Sequence, residues 1–195
     1  MSRTLDISLS FCGLVLLSPM MLLIVFLLYI SQERVFFIQT RPGRGEQPFR
    51  LIKFSTLRDI EPGEQEADAQ RLRVTFWGKY LRASSLDELP QLINVLKGEM
   101  SLVGPRPLLM SYLPLYSEEQ RRRHSVRPGI TGWAQVHGRN KLTFTERFKL
   151  DLWYVDHRSC GLDLRILGMT IGRLFRTDDV YHDETTTAPL FDGTN

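Results

Sequence analysis

The chain has 195 residues, 43% hydrophobic and 24% charged, with a formal net charge of +3. That is enough for one ordinary domain and too few for two, and the balance excludes a disordered tract, a collagen-like repeat and a membrane protein of many spans. Two cysteines, Cys12 and Cys160, are too few for a disulfide framework or a cysteine zinc site and suit a reducing compartment.

The mean hydropathy of −0.17 hides an asymmetry. Ile7 to Gln32 holds no charged residue, and Phe11 to Ile30 is a 20-residue apolar run. As a helix it covers about 30 Å, one hydrocarbon thickness. It is too long for a signal-peptide core, and Tyr29 to Glu33 offers no small-residue cleavage site. A spanning helix and a re-entrant hairpin both remain open. Ser18-Pro19 sits near the middle. Proline removes the hydrogen bond to the Val15 carbonyl, and the Ser18 hydroxyl is the local donor able to replace it. The flanking charges, Arg3 and Asp6 before, Glu33 and Arg34 after, show no bias.

The rest of the chain is more polar. Residues 34–40 read as a strand, 41–45 as a turn and 49–57 as a second strand, a candidate hairpin. Residues 59–70 carry five acids around Pro62-Gly63 and read as a mobile loop. Trp77 to Leu81 reads as a short helix. A second helix runs from Ser85 to Lys97, with capping-box spacing from Ser85 to Glu88 and a stop at Gly98. Pro90 bends or restarts it. Ser117 to Gln120 is a second capping box, before Arg121-Arg122-Arg123, whose charge suits a helix end. Arg127 to Gly132 reads as a turn, Leu142 to Asp156 as a helix. Residues 161–176 suit either core packing or a membrane-surface helix, and 177–195 read as an irregular tail.

Two constellations can carry chemistry. Adjacent helical residues lie about 100° apart, so Asp87 and Glu88 do not face each other and suit separate roles. One carboxylate points at a substrate, the other at a metal or a helix end. A carboxylate in a first helical turn is held ionised, as a nucleophile or a Mg²⁺ ligand must be. An ordinary acidic first turn reads the same way. The second constellation is basic: residues 101–141 hold seven Arg or Lys and two acids. Two prolines fix Arg106 within Val103 to Pro107. Guanidinium forks bind phosphate, and the same surplus suits anionic headgroups. The glycines from Gly129 to Gly138 match neither a P-loop nor a Rossmann fingerprint. The histidines lack zinc spacing, no nucleophile elbow is present, and a nucleic-acid face is not expected beside a membrane segment.

Ser85 to Leu92, Asn94 to Gly98, Met100 to Pro107 and Arg127 to Val136 resemble the bacterial sugar transferases, the monotopic phosphoglycosyl transferases. Arg3 with Asp6, Ser18-Pro19, Phe37-x-Gln39-x-Arg41-x-Gly43, Lys53-Phe54 and Asp151-x-Trp153-Tyr154 extend the resemblance over nearly the whole chain. It implies transfer of a sugar 1-phosphate from a UDP-sugar to polyprenyl phosphate, through a phosphosugar held on Asp87, with Mg²⁺. Asp87 is then nucleophile and metal neighbour, and Glu88 assists. Arg106 is the first phosphate clamp, Arg82 and Lys53 further clamps. Arg127, Gln135, Arg139 and Asn140 are further substrate-binding candidates.

The resemblance also implies an α+β, mostly helical fold. Residues 1–32 form a re-entrant helix broken at Ser18-Pro19, with both ends cytosolic. Residues 33–195 form a catalytic domain with a short β-hairpin and interfacial amphipathic helices, at the cytosolic face of the bacterial inner membrane. Membrane lipids and other glycan-pathway enzymes are the implied partners, and an N-acetylated amino sugar such as diacetylbacillosamine the implied sugar. Three departures stand out. Arg3 is alone where members carry Lys-Arg, Ser55 stands where an arginine is common, and His137 where small members often have Asn.

Overall fold

The computed structural model describes residues 2–31, 34–58, 74–138, 142–174 and 191–193. Within them the protein is mostly helical, with two small two-stranded sheets. The acidic segment 59–70 and most of the tail lie outside the described residues.

Helix α1 (Arg3–Ser31) is continuous and contains Pro19. The helix expected to break at Ser18-Pro19 runs on through Pro19. Proline frees the Val15 carbonyl, and the Ser18 hydroxyl donates to it at 2.8 Å, so the backbone stays satisfied in an apolar setting. One stripe of the helix, Asp6, Ser10, Ile24 and Leu28, is buried. Phe11, Leu16, Leu22, Phe26 and Ile30 are exposed. The helix is long and apolar enough to cross a membrane by length and composition.

Both ends of α1 nevertheless pack on one domain. At the start, Arg3 donates to the carbonyls of Val95 and Leu96 at 2.6 and 2.9 Å. Asp6 accepts from the Ser101 hydroxyl and the Leu102 N–H at 2.9 and 3.0 Å. At the far end, Ile24 and Leu28 form a core cluster with Phe54 and Leu81. Arg3 is therefore bound to carbonyls at the end of a helix, where a cation is favoured.

The expected hairpin is present. Strands β1 (Phe36–Pro42) and β2 (Pro48–Phe54) pair antiparallel, from Phe36 opposite Phe54 to Pro42 opposite Pro48. The turn closes through Gly43 N–H on the Gln47 carbonyl at 2.8 Å. Side chains alternate faces along a strand, so Gln39, Arg41, Leu51 and Lys53 share one face. Helix α2 (Phe76–Ala83) follows, capped by Thr75.

The expected capping box at Ser85 does not form. Ser85 is left-handed, with φ of 57°, and its side chain makes no cap bond. Leu86–Glu88 is a single 3₁₀ turn, and Glu88 is drawn away to cations. The helix restarts after Pro90 as α3 (Gln91–Lys97), and Gly98 ends it at φ of 88°. Asn94 ties α3 to the hairpin: it accepts from Ile52 N–H at 3.1 Å and donates to the Arg50 carbonyl at 2.7 Å.

Strands β3 (Ser101–Val103) and β4 (Gly129–Thr131) pair in parallel. The loop after β3 lies so close to β4 that a Cβ on Gly129 would stand 2.1 Å from the Gly104 nitrogen, and one on Gly104 2.4 Å from the Arg127 carbonyl oxygen. Only glycine fits such an approach. Gly129 N–H also donates to the Pro105 carbonyl at 3.0 Å, so the Pro105-Arg106-Pro107 loop is fixed.

The capping box at Ser117 opens α4 (Glu118–Arg121) as expected. Helices α5 (Trp133–His137), α6 (Phe144–His157) and α7 (Cys160–Leu174) complete the domain. One residue of the irregular tail is buried. Phe191 is 3% exposed and packs among Leu108, Tyr112, Tyr116 and Phe148. Emptying that site removes aromatic area and leaves a cavity near the chain end. Phe191→Ala is expected to cost about 3 kcal/mol in a urea titration of the full chain.

Candidate active site

Four of the expected residues meet. The 3₁₀ turn after α2 presents Asp87 and Glu88, β2 presents Lys53, and the loop after β3 presents Arg106. Lys53 Nζ lies 2.6 Å from Glu88 Oε1 and 3.8 Å from Asp87 Oδ2. Arg106 Nη2 donates to the same Glu88 oxygen at 2.8 Å. Arg82, in the last turn of α2, stands on the Asp87 side and donates to the Thr56 hydroxyl at 3.0 Å.

The two carboxylates therefore differ. Burial raises Glu88, but Arg106 and Lys53 outweigh it and hold its pKa down at about 2. Asp87 is 8% exposed. Burial pushes its pKa up, and the charges of Lys53, Arg106 and Arg82 only partly oppose this. Lys53 is pushed down by burial and by Arg106, with Glu88 and Asp87 opposing. Among the described residues no hydrogen bond reaches the Asp87 carboxylate, and its nearest cation is Lys53. Glu88 thus anchors the cations, while Asp87 keeps its lone pairs available.

The loop holding Arg106 is secured from beneath. Arg123 donates to the Arg106 carbonyl at 2.7 Å. It also pairs with Asp151 at 2.7 Å, both side chains 1% exposed. Burial raises the Asp151 carboxyl and Arg123 counters it. Arg121 pairs with Glu46, and Arg122 with Asp156. The basic run therefore ends in ion pairs with acids from elsewhere in the chain.

The remaining candidates fall elsewhere. Arg127 donates to the Gly98 carbonyl at 2.9 Å, closing the end of α3. Arg and the helix-end carbonyl satisfy each other there. Gln135 sits on α5 with its amide oxygen against Gly132. Arg139 and Asn140 lie outside the described residues.

The bacterial sugar transferase family matches residues 1–177 of the chain. The chain belongs to that family. It is 50% identical over 159 residues to "Uncharacterized sugar transferase EpsL" of Bacillus subtilis (strain 168), covering 82% of this chain and 79% of that protein. It is 40% identical over 190 residues to the UDP-glucose:undecaprenyl-phosphate glucose-1-phosphate transferase of Caulobacter vibrioides, covering 92% and 71%. A UDP-N-acetylgalactosamine-undecaprenyl-phosphate N-acetylgalactosaminephosphotransferase of Aeromonas hydrophila is 40% identical over 178 residues, covering 87% and 42%.

The sugar transferase has an open cleft beside the acid pair, lined by Arg41, Leu51, Lys53, Gln91, Arg106, Pro107, Leu108 and Gly129. Arg41 and Gln91 were not among the expected site residues. The hairpin register carries the signal for Arg41, which shares a face with Lys53. Arg123 and Asp151 were also missed as a pair. They are 28 positions apart, and no local spacing joins them.

The donor set fits Mg²⁺ of one particular kind. Among the described residues no group of three or more His, Cys, Asp or Glu forms a metal cage. Mg²⁺ does not require one, since it keeps waters and takes one or two carboxylates plus substrate phosphates. The Asp87 oxygens, with no protein hydrogen bond among the described residues, are donors of that type.

Proposed function

We propose that this transferase moves a sugar 1-phosphate from a UDP-sugar to undecaprenyl phosphate, giving undecaprenyl-diphosphate-sugar and UMP. The carrying observation is the buried Asp87 carboxylate, without a hydrogen bond among the described residues, beside Lys53, Arg82 and Arg106. An Asp87 oxygen attacks the sugar-bearing phosphorus, and a P–O bond forms. The bridging P–O bond breaks, and its electron pair leaves on UMP. A phosphate oxygen of the lipid then attacks the same phosphorus and releases the Asp87 carboxylate. Lys53 and Arg106, held in place by Glu88, face the phosphoryl oxygens and offset their charge. Asp87 would hold a Mg²⁺ together with the diphosphate, and the bound ion supplies further charge neutralisation.

Helix α1 supports a membrane placement. A spanning helix separates its ends by about 30 Å of hydrocarbon. Here Arg3 and Leu28 both contact one domain, while the outer face is apolar and exposed. That supports a monotopic enzyme at the cytosolic face of the inner membrane, where the lipid phosphate lies.

The test is UMP release from a panel of UDP-sugars by the full chain in detergent with undecaprenyl phosphate. Lipid-dependent UMP release is expected. Free sugar phosphate without a lipid product would instead indicate a hydrolase. For the sugar, the resemblance favours an N-acetylated amino sugar, as in the name of the Aeromonas relative. The Caulobacter relative is named for glucose and favours UDP-glucose as second reading. The panel separates the two.

The attacking carboxylate must be ionised. Burial raises the Asp87 pKa in the metal-free protein, and Lys53, Arg106 and Arg82 oppose the rise. Arg82→Gln removes an opposing cation, and the acid limb of the first half-reaction is expected to move to higher pH. A limb that stays in place would detach it from Asp87.

A further inference from the structure

The cleft that Lys53 and Arg106 line also takes in Arg41 and Gln91. Lys53 and Arg106 already share Glu88. Arg41 lines the same cleft, and no carboxylate pairs with it among the described residues. Its guanidinium offers five N–H donors. One hydrogen bond is made, from Nη2 to the Gln39 amide oxygen at 2.6 Å. Its Nε is buried without a partner.

Arg41 and Arg106 both line the cleft; Glu88 pairs with Arg106, and no carboxylate pairs with Arg41 among the described residues. Burial lowers the Arg41 pKa to about 10, with Arg106 repulsion next. Such an arrangement costs free energy in the empty protein, and a multivalent anion relieves it. The second observation is Gln91. It is 2% exposed, lines the cleft, and its side-chain amide makes no hydrogen bond among the described residues. Its amide N–H, on the cleft wall, is a donor that a phosphate oxygen can accept from. Leu51, Leu108 and Gly129 line the same cleft.

We propose that Arg41 and Gln91 form a second phosphate subsite, which binds the nucleotide-side phosphate of the donor and holds it as UMP departs. The inference rests on the transferase reading above. When Asp87 attacks the sugar-bearing phosphorus, the bridging oxygen takes the bond's electron pair and the nucleotide phosphate gains a negative charge. Lys53 and Arg106 serve the phosphorus under attack. Arg41 lies where it stabilises the leaving group, donating a fork of N–H bonds that a lysine does not reproduce. Phosphate on the acceptor lipid shares this chemistry, and the two sources separate kinetically.

The experiment uses the full chain in detergent, with Arg41→Met, Arg41→Lys, Gln91→Leu and the parent. UMP is the probe, by direct calorimetric binding and as a product inhibitor. Arg41→Met is expected to weaken UMP binding by about 10- to 100-fold and to slow the lipid-free burst of UMP by a similar factor. The KM for undecaprenyl phosphate should stay within about twofold. Arg41→Lys is expected to recover part of the UMP binding, and Gln91→Leu to weaken it by about 5- to 10-fold. Thermal melts show whether each variant is folded, and Gln91→Leu replaces a buried amide by an apolar group of similar size. Unchanged UMP affinity in a folded Arg41→Met chain would overturn the proposal. So would an unchanged burst with a raised lipid KM, which assigns the subsite to the acceptor. If the parent binds UMP through Arg41 but turns over no UDP-sugar, the transferase reading fails and the phosphate subsite stands.

Discussion

Asp87→Asn is expected to reduce lipid-dependent UMP release by at least about 10³-fold, the scale of losing a covalent nucleophile. The substitution is nearly isosteric, and Asp87 makes no hydrogen bond among the described residues for the change to break. It also removes a buried negative charge whose pKa burial has raised, so the variant should melt at or slightly above the parent temperature. Asp87 with a raised pKa costs stability above that pKa, and the amide carries no such cost. Lost turnover with retained stability is the signature of a group kept reactive at the expense of the fold. Glu88→Gln should behave differently. Glu88 is depressed to about 2, so its pairing stabilises the fold above the unfolded pKa of about 4.5 and is lost as pH falls toward 2. Removing its charge should lower stability at neutral pH.

Breaking the Arg123–Asp151 pair is the largest stability effect expected. Both side chains are 1% exposed. Asp151→Asn leaves a buried guanidinium without its counter-ion, and Arg123→Met leaves a buried carboxylate. Each should cost about 3–5 kcal/mol in chemical denaturation. Replacing both by apolar residues of similar volume should recover much of that loss, because the desolvation of two charges is no longer imposed. One difference should remain in the double variant. Arg123 also holds the Arg106 carbonyl at 2.7 Å, so kcat should stay depressed when stability is recovered. Equal recovery of stability and kcat would show that Arg123 serves packing alone.

Much of this was legible in the residues. The hairpin followed from two β-rich runs around Pro42-Gly43, and the Gly98 stop and the Ser117 box from local backbone chemistry. The motifs mark Asp87, Glu88, Lys53 and Arg106, and the structure brings them within one ion-pair network. What failed was local reasoning overruled by tertiary partners. Ser85 has capping spacing to Glu88, yet Lys53 and Arg106 take the Glu88 carboxylate and the cap is lost. The basic stretch from 101 to 141 looked unbalanced because its acids, Glu46, Asp151 and Asp156 among them, lie outside that window. Arg127 donates to the Gly98 carbonyl at the end of α3, a contact 29 positions away that no local spacing signals. At Pro19 the expected replacement donor, Ser18, was correct, and its success is why the helix continues. Phe191 sat in a stretch of tail composition, and its burial depends on an aromatic box assembled from residues 108 to 148.

The most direct test is the mass of the intact chain after incubation with a productive UDP-sugar and no lipid acceptor. One added sugar phosphate is predicted, with one equivalent of UMP released. The adduct should map to the peptide containing Asp87, be absent in Asp87→Asn, and disappear when undecaprenyl phosphate is added. Turnover without an adduct, or an adduct on another residue, would contradict the assignment of Asp87 as nucleophile.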